Sequence, residues 1–226
     1  MRIDIDGTIV SSDDKWIYDW FGLKAFCPDD VKKAISGLQN SEQIDVYINS
    51  GGGDIFAGSE IYSELRAYKG TVQIHITGLA ASAASVIACA GQSEISPTAM
   101  FMVHNVSSYA EGDYRTMDKT SDVLQQANKA MAAAYVAKTG MTEDEALQMM
   151  NDETWLSAKD AVEKGLVDKI SENHNIKLAA STTNMLPQEV IEKIRNTVKR
   201  PAVNKSDFLM QKMQAQLNLL KMKGGI

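Results

Sequence analysis

Three times along this chain a short apolar run gives way to a small-residue loop or turn and then to a helix-type segment. Ile44-Asp45-Val46-Tyr47-Ile48 leads into Asn49-Ser50-Gly51-Gly52-Gly53 and a helical pattern capped by Asp54, with apolar residues at Ile55, Ile61, Tyr62 and Leu65. Val72 to Thr77 leads into Gly78-Leu79-Ala80-Ala81 and an apolar helix from Ser82 to Ala90. Met100 to Val103 leads into His104 and then a long helix over about Tyr114 to Lys138, rich in Ala, Gln, Lys and Met. The runs have strand length, and consecutive glycines lose too much entropy to sit inside a regular element. Strand, loop, helix, repeated, predicts βαβ crossovers and a mainly parallel sheet, an α/β fold. Ligands in such sheets sit where loops leave the carboxyl ends of the strands. The glycine loop, Ser82 and His104 all fall at such ends.

The flanking segments fill in the rest. Arg2 to Val10 reads as a first strand, interrupted by a turn or bulge at Asp6-Gly7. Pro28-Asp29-Asp30 opens a helix to about Gln39, with proline and acids in its first turn. Thr142-Glu143-Asp144-Glu145 matches a capping box. Ser157-Ala158-Lys159-Asp160 starts another helix, closed by Gly165, and Leu166 to Ile170 is a last strand. From Ser171 onward the chain changes character, with nine Lys/Arg against four Asp/Glu, whereas the first 170 residues carry 14 against 25. That contrast places a domain over residues 1–170, a polar linker over 171–184 and a basic helical tail over 185–226. The tail reads as two helices, Pro187 to Lys199 and Ser206 to Met222, separated by Pro201. The second bears Phe208, Leu209, Met213, Leu217 and Leu220, and suits either a partner surface or a fold back onto its own domain.

Several classes are excluded on composition. The net charge of −6 argues against general nucleic-acid binding. No run approaches the roughly 20 apolar residues of a membrane span. Acids interrupt the apolar alternation of Met1-Arg2-Ile3-Asp4-Ile5-Asp6, so a signal peptide is not expected and a cytoplasmic protein is. The two cysteines, Cys27 and Cys89, have no partner at disulfide or zinc-ligand spacing. The triplets at Asn105 and Asn204 fit the glycosylation pattern but lack the secretory context that would give them meaning.

Ser82 carries two readings. It is a preferred residue for capping a helix. It is also placed to act as a nucleophile, because a hydroxyl at a helix N-terminus faces backbone N–H groups that favour developing negative charge. A serine needs a neighbouring base, and neutral imidazole is the usual one near pH 7. Of the three histidines, His75 lies mid-strand and His174 in the linker; only His104 sits at a strand end. The base needs an orienting carboxylate, and Asn151-Asp152-Glu153-Thr154-Trp155 offers two, in what reads as a loop between helices.

Taken in order, these segments resemble the Clp protease proteolytic subunit family. Ile48-Asn49-Ser50-Gly51-Gly52-Gly53-Asp54, followed by Ala57-Gly58 and Ile61-Tyr62, is similar to its substrate-cradling loop, Asn-Ser-Pro-Gly-Gly. Gly78-Leu79-Ala80-Ala81-Ser82-Ala83-Ala84 resembles its nucleophile motif, Gly-Gln-Ala-Ala-Ser-Met-Gly, and Met102-Val103-His104-Asn105 its Met-Ile-His-Gln segment. Trp155-Leu156-Ser157-Ala158, Ala161, Gly165 to Asp168 and Ile170 resemble the stretch after its catalytic acid. The short first strand and Tyr18-Asp19-Trp20-Phe21-Gly22 look most like the phage-encoded, Clp-like prohead protease branch.

The resemblance implies a fold of repeated ββα units shared with crotonases, with the long helix projecting from the core to mediate ring-to-ring contacts. It implies a serine endopeptidase acting on proteins or peptides, with Ser82 as nucleophile and His104 as general base. The backbone N–H groups of Gly53 and Ala83 would form the oxyanion hole, and Gly51 and Gly52 would bind substrate. No cofactor or metal is implied. The acid position matches Glu153, where the family has aspartate, and Asp152 stands beside it. Gly51 replaces the family's proline. The expected assembly is a homo-oligomer, a heptameric ring or double ring. The chain begins at the first strand, without the family's axial-pore segment, so docking of an unfoldase ATPase is left open. A prohead protease would meet capsid or scaffold protein, and its tail could be trimmed by self-cleavage. Two other readings stand beside this one. One is a Ser–Lys peptidase of the signal-peptide-peptidase type, with Lys119 or Lys129 as base. The other is a non-catalytic capsid-assembly or scaffold-binding subunit. A crotonase-type acyl-CoA enzyme could use the glycine loop but does not need Ser82 and His104 in this arrangement.

Overall fold

The structure, a computed structural model, describes residues 1–38, 42–172 and 186–197. The chain opens with β1 (Arg2–Asp6), β2 (Thr8–Ile9), α1 (Lys15–Phe21), β3 (Ala25–Phe26) and α2 (Pro28–Ile35). Then come β4 (Ile44–Ser50), α3 (Ile55–Ala67), β5 (Val72–Ala81), α4 (Ala83–Ala88), β6 (Gln92–Ile95) and β7 (Met100–Val103). The remainder is α5 (Tyr114–Thr139), α6 (Glu143–Asn151), β8 (Thr154–Ser157), α7 (Ala158–Glu163), β9 (Lys169–Ile170) and α8 (Gln188–Thr197).

The alternation in the strands builds a sheet with one apolar face. On β4, Ile44, Val46 and Ile48 are buried while Asp45, Tyr47 and Asn49 are partly exposed, and β5 repeats the pattern with Val72, Ile74 and Ile76. The strands pair in the order β1-β4-β5-β6-β9, each pair parallel, as the crossovers require. The buried face meets Ile61 and Leu65 of α3 and Val86 and Ile87 of α4 in one core. The other face carries polar side chains. There the His75 ring lies between Glu94 (2.8 Å) and Asp45 (3.2 Å) and stacks on Tyr47, so this histidine ties three strands together.

Helix ends follow the sequence signals closely. The Asp54 carboxylate accepts from the Ala57 N–H (2.8 Å), and capping boxes close at Thr142/Glu145 and Ser157/Asp160. The long helix α5 is exposed through its N-terminal half and buried at Met131, Ala132, Ala134 and Tyr135, so half of it leaves the core.

The structure departs from the sequence expectations in five places. The first strand is two strands in different sheets. Gly7 turns the chain with φ +88, where a Cβ would lie 2.2 Å from the Lys24 carbonyl oxygen, and β2 then pairs with β3 rather than continuing β1. The strand expected to stop at Gly78 runs on to Ala81, because β7 pairs with Leu79 to Ala81. The acids 152–153 lie between a helix and strand β8, not between two helices. The last strand shrinks to β9, its expected first half forming the turn after α7. Finally, α2 ends at Ile35, short of Gln39.

Helix α8, where a tail helix was expected, packs on α1: Ile191 is buried with Val10, Ile17, Tyr18 and Cys27 in a second, smaller core. His174, most of the linker and the Ser206 to Met222 segment lie outside the described residues. Among the described residues no helix is long and apolar enough to cross a membrane.

Candidate active site

Strands β5 and β7 run parallel with Ala81 opposite Met102, and the Ser82 N–H continues the ladder to the Met102 carbonyl (3.1 Å). The register delivers Ser82 and His104 side by side just past the two strand ends. The His104 Nε2 and the Ser82 Oγ are 2.8 Å apart. That distance suits proton transfer from a hydroxyl to an imidazole. Ser82 is at the cap position of α4 but its hydroxyl caps nothing; it faces His104 instead. Its backbone has φ 56 and ψ −126, a conformation seldom adopted by non-glycine residues.

Ser85 holds this turn from behind. Its Oγ donates to the Ser82 carbonyl (2.6 Å) and is 2.8 Å from the Tyr135 hydroxyl of α5. Burial pushes the Tyr135 phenol up, and Ser85 bonding only partly offsets it. One turn on, burial raises the Cys89 thiol to about 12, so it is a packing group rather than a reactive thiol.

The glycine loop lies against the serine. A Cβ on Gly52 would stand 2.7 Å from the Ser82 Cβ and 2.7 Å from the Ala81 carbonyl oxygen. Both Gly52 backbone groups are used: its N–H donates to Ser50 Oγ (3.1 Å) and its carbonyl accepts from the Ile9 N–H (2.9 Å). Gly52 therefore spaces the loop from the serine and does not line the groove, whereas Gly51 and Gly53 do. Gly53 forms an isolated parallel bridge with Ile9, made by the Gly52 carbonyl and the Asp54 N–H. In such a bridge the Gly53 N–H points away from Ile9, and Gly53 lines the groove. Ala83, the first residue of α4, has an N–H that the helix itself cannot satisfy. The groove is about 210 Å³ and is lined by Ser82, His104, Gly53, Ala83, Met131 and Tyr135 among others.

The acid is less directly placed. Strands β7 and β8 pair antiparallel with Val103 opposite Thr154, so His104 and Glu153 leave the ladder at facing ends. The two tails stay together, since Asn105 Nδ2 donates to Asn151 Oδ1 (2.9 Å). Among the described residues no carboxylate bonds His104. Glu153 Oε1 is 3.5 Å from the Trp155 indole N–H, and Asp152 Oδ1 accepts from Gln148 (2.9 Å). Glu153 has φ 47; among the described residues it and Ser82 are the two non-glycine residues with positive φ. Asp152 ends α6 in ordinary helical geometry. Lys119 and Lys129 are exposed on α5, and Ser82 bonds the histidine, not a lysine. No group of three His, Cys, Asp or Glu among the described residues is arranged to hold a metal ion.

Sequence reading named Ser82, His104, Gly53 and Ala83, and these come together. Ser85 and Tyr135 are not among those residues. The only signal there was a second serine one turn along a helix whose small residues admit a close neighbour.

A sequence model of the Clp protease family matches residues 32–174. Curated relatives include ATP-dependent Clp protease proteolytic subunits. One from Bacteroides fragilis is 27% identical over 139 residues, covering 60% of this chain and 67% of its own length. One from Streptococcus agalactiae serotype V is 28% identical over 157 residues, covering 63% of this chain and 75% of its own length.

Proposed function

This chain belongs to the Clp protease family, and from that premise we propose that it is a serine endopeptidase working through Ser82, His104 and Glu153. The observation that carries the reading is the 2.8 Å contact between Ser82 Oγ and His104 Nε2, on a serine whose backbone is held at positive φ. Ser82 Oγ attacks the scissile carbonyl while His104 Nε2 takes its proton. The N–H groups of Gly53 and Ala83 receive the oxyanion, each worth roughly 3–4 kcal/mol to the transition state. His104 returns the proton to the leaving amine, and the acyl group stays on Ser82. A water then attacks the ester with His104 again as base, which frees the acid product and the serine. Gly51, which has no side chain, lets an extended substrate lie against the loop as an added strand.

Glu153 is the carboxylate that orients His104. It stands at the facing ladder end and shares with Ser82 the strained backbone that gathers at functional sites. The reading extends to a homo-oligomeric chamber, a heptameric ring or double ring. The exposed Tyr114, Met117 and Val123 of α5, and relatives named as proteolytic subunits, support it. A role in phage prohead maturation is its most specific form, resting on the resemblance at Tyr18 to Gly22.

An internally quenched peptide assay tests the chemistry. Ser82→Ala and His104→Ala should each lower kcat on the order of 10³-fold or more. Glu153→Gln should lower kcat by at least tenfold while Asp152→Asn stays within a few-fold. The reverse ranking would make Asp152 the acid, and cleavage surviving Ser82→Ala would overturn the function itself.

A further inference from the structure

We propose that α8 is a brace for the oxyanion loop, acting through α1 and the β2 backbone on Gly53, so that Ile191 and Arg195 are positioning residues for the reaction. The proposal rests on the Ser82 peptidase reading, with Gly53 as one of its oxyanion donors.

Gly53 has φ 148, and a Cβ there would lie 2.1 Å from the Ile9 carbonyl oxygen, so the two backbone segments leave no room for a side chain. Ile9 binds the loop at both sides of Gly53, through the Gly52 carbonyl and the Asp54 N–H, each at 2.9 Å. The orientation of the Gly53 N–H is therefore set by where Ile9 stands.

Ile9 belongs to a two-residue strand whose ladder partner is another two-residue strand, β3. Ladders this short hold little by themselves. Their own apolar side chains, Ile9 and Phe26, are buried in the main core, and the next residue, Val10, is buried in the second core together with Ile17, Tyr18 and Cys27, so β2 is gripped from both. Helix α8 closes the second core. Ile191 is 5% exposed within it, and Leu186 and Ile194 pack at its margin. Two polar contacts fix the helix in place: the Leu186 N–H donates to the Tyr18 hydroxyl (3.4 Å), and Arg195 pairs with Asp14. Asp14 also accepts from Ser11 Oγ (2.8 Å), on the segment that leaves β2. An unbroken series of contacts thus runs from Arg195 and Ile191 through α1 and Val10 to Ile9 and Gly53. Elements β2, α1, β3 and α8 all lie outside residues 32–174, the part that matches the family.

An oxyanion donor acts on charge that exists only in the transition state, so loosening it lowers kcat and leaves KM in place. The test uses the full chain and three variants, Ile191→Ala, Arg195→Ala and Arg195→Lys. It reads kcat and KM on a quenched peptide and deuterium exchange of the backbone over residues 50–54. Ile191→Ala should lower kcat about tenfold, part of what loss of one donor costs, with KM within twofold and faster exchange over 50–54. Arg195→Ala should do the same to a smaller degree, and Arg195→Lys, which keeps the charge pair, should restore kcat. Unchanged kcat in Ile191→Ala and Arg195→Ala overturns the brace, whatever the exchange shows. A fall in kcat with unchanged exchange at 50–54 also overturns it, because the effect then bypasses the loop. Failure of the underlying reading is seen separately: Ser82→Ala in an otherwise unaltered chain would still cleave.

Discussion

Ser82 is held from two sides, and the hold behind it can be measured one residue at a time. Ser85 and Tyr135 are both fully enclosed, and their hydroxyls link α5 to the carbonyl of the strained serine. Tyr135→Phe deletes one hydrogen bond and keeps the ring, which should cost about 1 kcal/mol in urea unfolding. Ser85→Ala also strands the buried Tyr135 hydroxyl and should cost about 1–3 kcal/mol. Both should slow kcat several-fold in protein that remains folded; unaltered kcat would reduce the pair to packing. This network was invisible in the sequence because its partners lie 50 residues apart. Ser82 and His104 were legible, since each follows an apolar run and each run is a strand. Glu153 was visible only as one of two adjacent acids, and among the described residues neither bonds His104. What separates Glu153 from Asp152 is a left-handed backbone, which a glutamate does not announce.

Among the elements, the strands were legible by period and their ends were not. Gly78 reads as a stop, yet β5 continues for three further residues because β7 offers a ladder there. Pairing across 20 residues of sequence overrides a local breaker. The C-terminal end of α5 is fixed in a similar non-local way. Lys138 Nζ donates to the Gly91 carbonyl (2.9 Å) and to Asp168 (2.5 Å), and Asp168 also accepts from the Ser93 N–H (2.6 Å). Burial alone would raise the Asp168 carboxyl, but the bonds from Lys138 and Ser93 outweigh it and hold the group below its ordinary value. A carboxylate with a lowered folded pKa contributes stability that is fully present above its unfolded value, about 3.9, and is lost as pH falls through the folded one. Lys138→Met should therefore lower Tm clearly at pH 7, and the gap from the unaltered chain should narrow as pH falls below about 4. A gap that stays constant with pH would show that Lys138 acts through packing alone.

At the scale of the molecule, the α/β class and parallel sheet follow from the repeated strand-loop-helix pattern, as does the place of the site at strand ends. The second core does not, because α1 and β3 are short and α8 meets them from the far end of the chain. The N-terminal half of α5 leaves Tyr114, Met117 and Val123 exposed on a helix that departs from the core. Sedimentation of the full chain should give a mass several times that of one chain, and replacing these three by serine should lower it; a single-chain mass at micromolar concentration would rule the chamber out. The proposed chemistry requires one reactive serine per chain. A fluorophosphonate probe followed by intact-mass and peptide mapping measures that most directly. A Ser82–His104 peptidase should give one adduct per chain, located on Ser82, lost in Ser82→Ala and strongly slowed in His104→Ala. Equal labelling of Ser82→Ala, or an adduct on another residue, would contradict it.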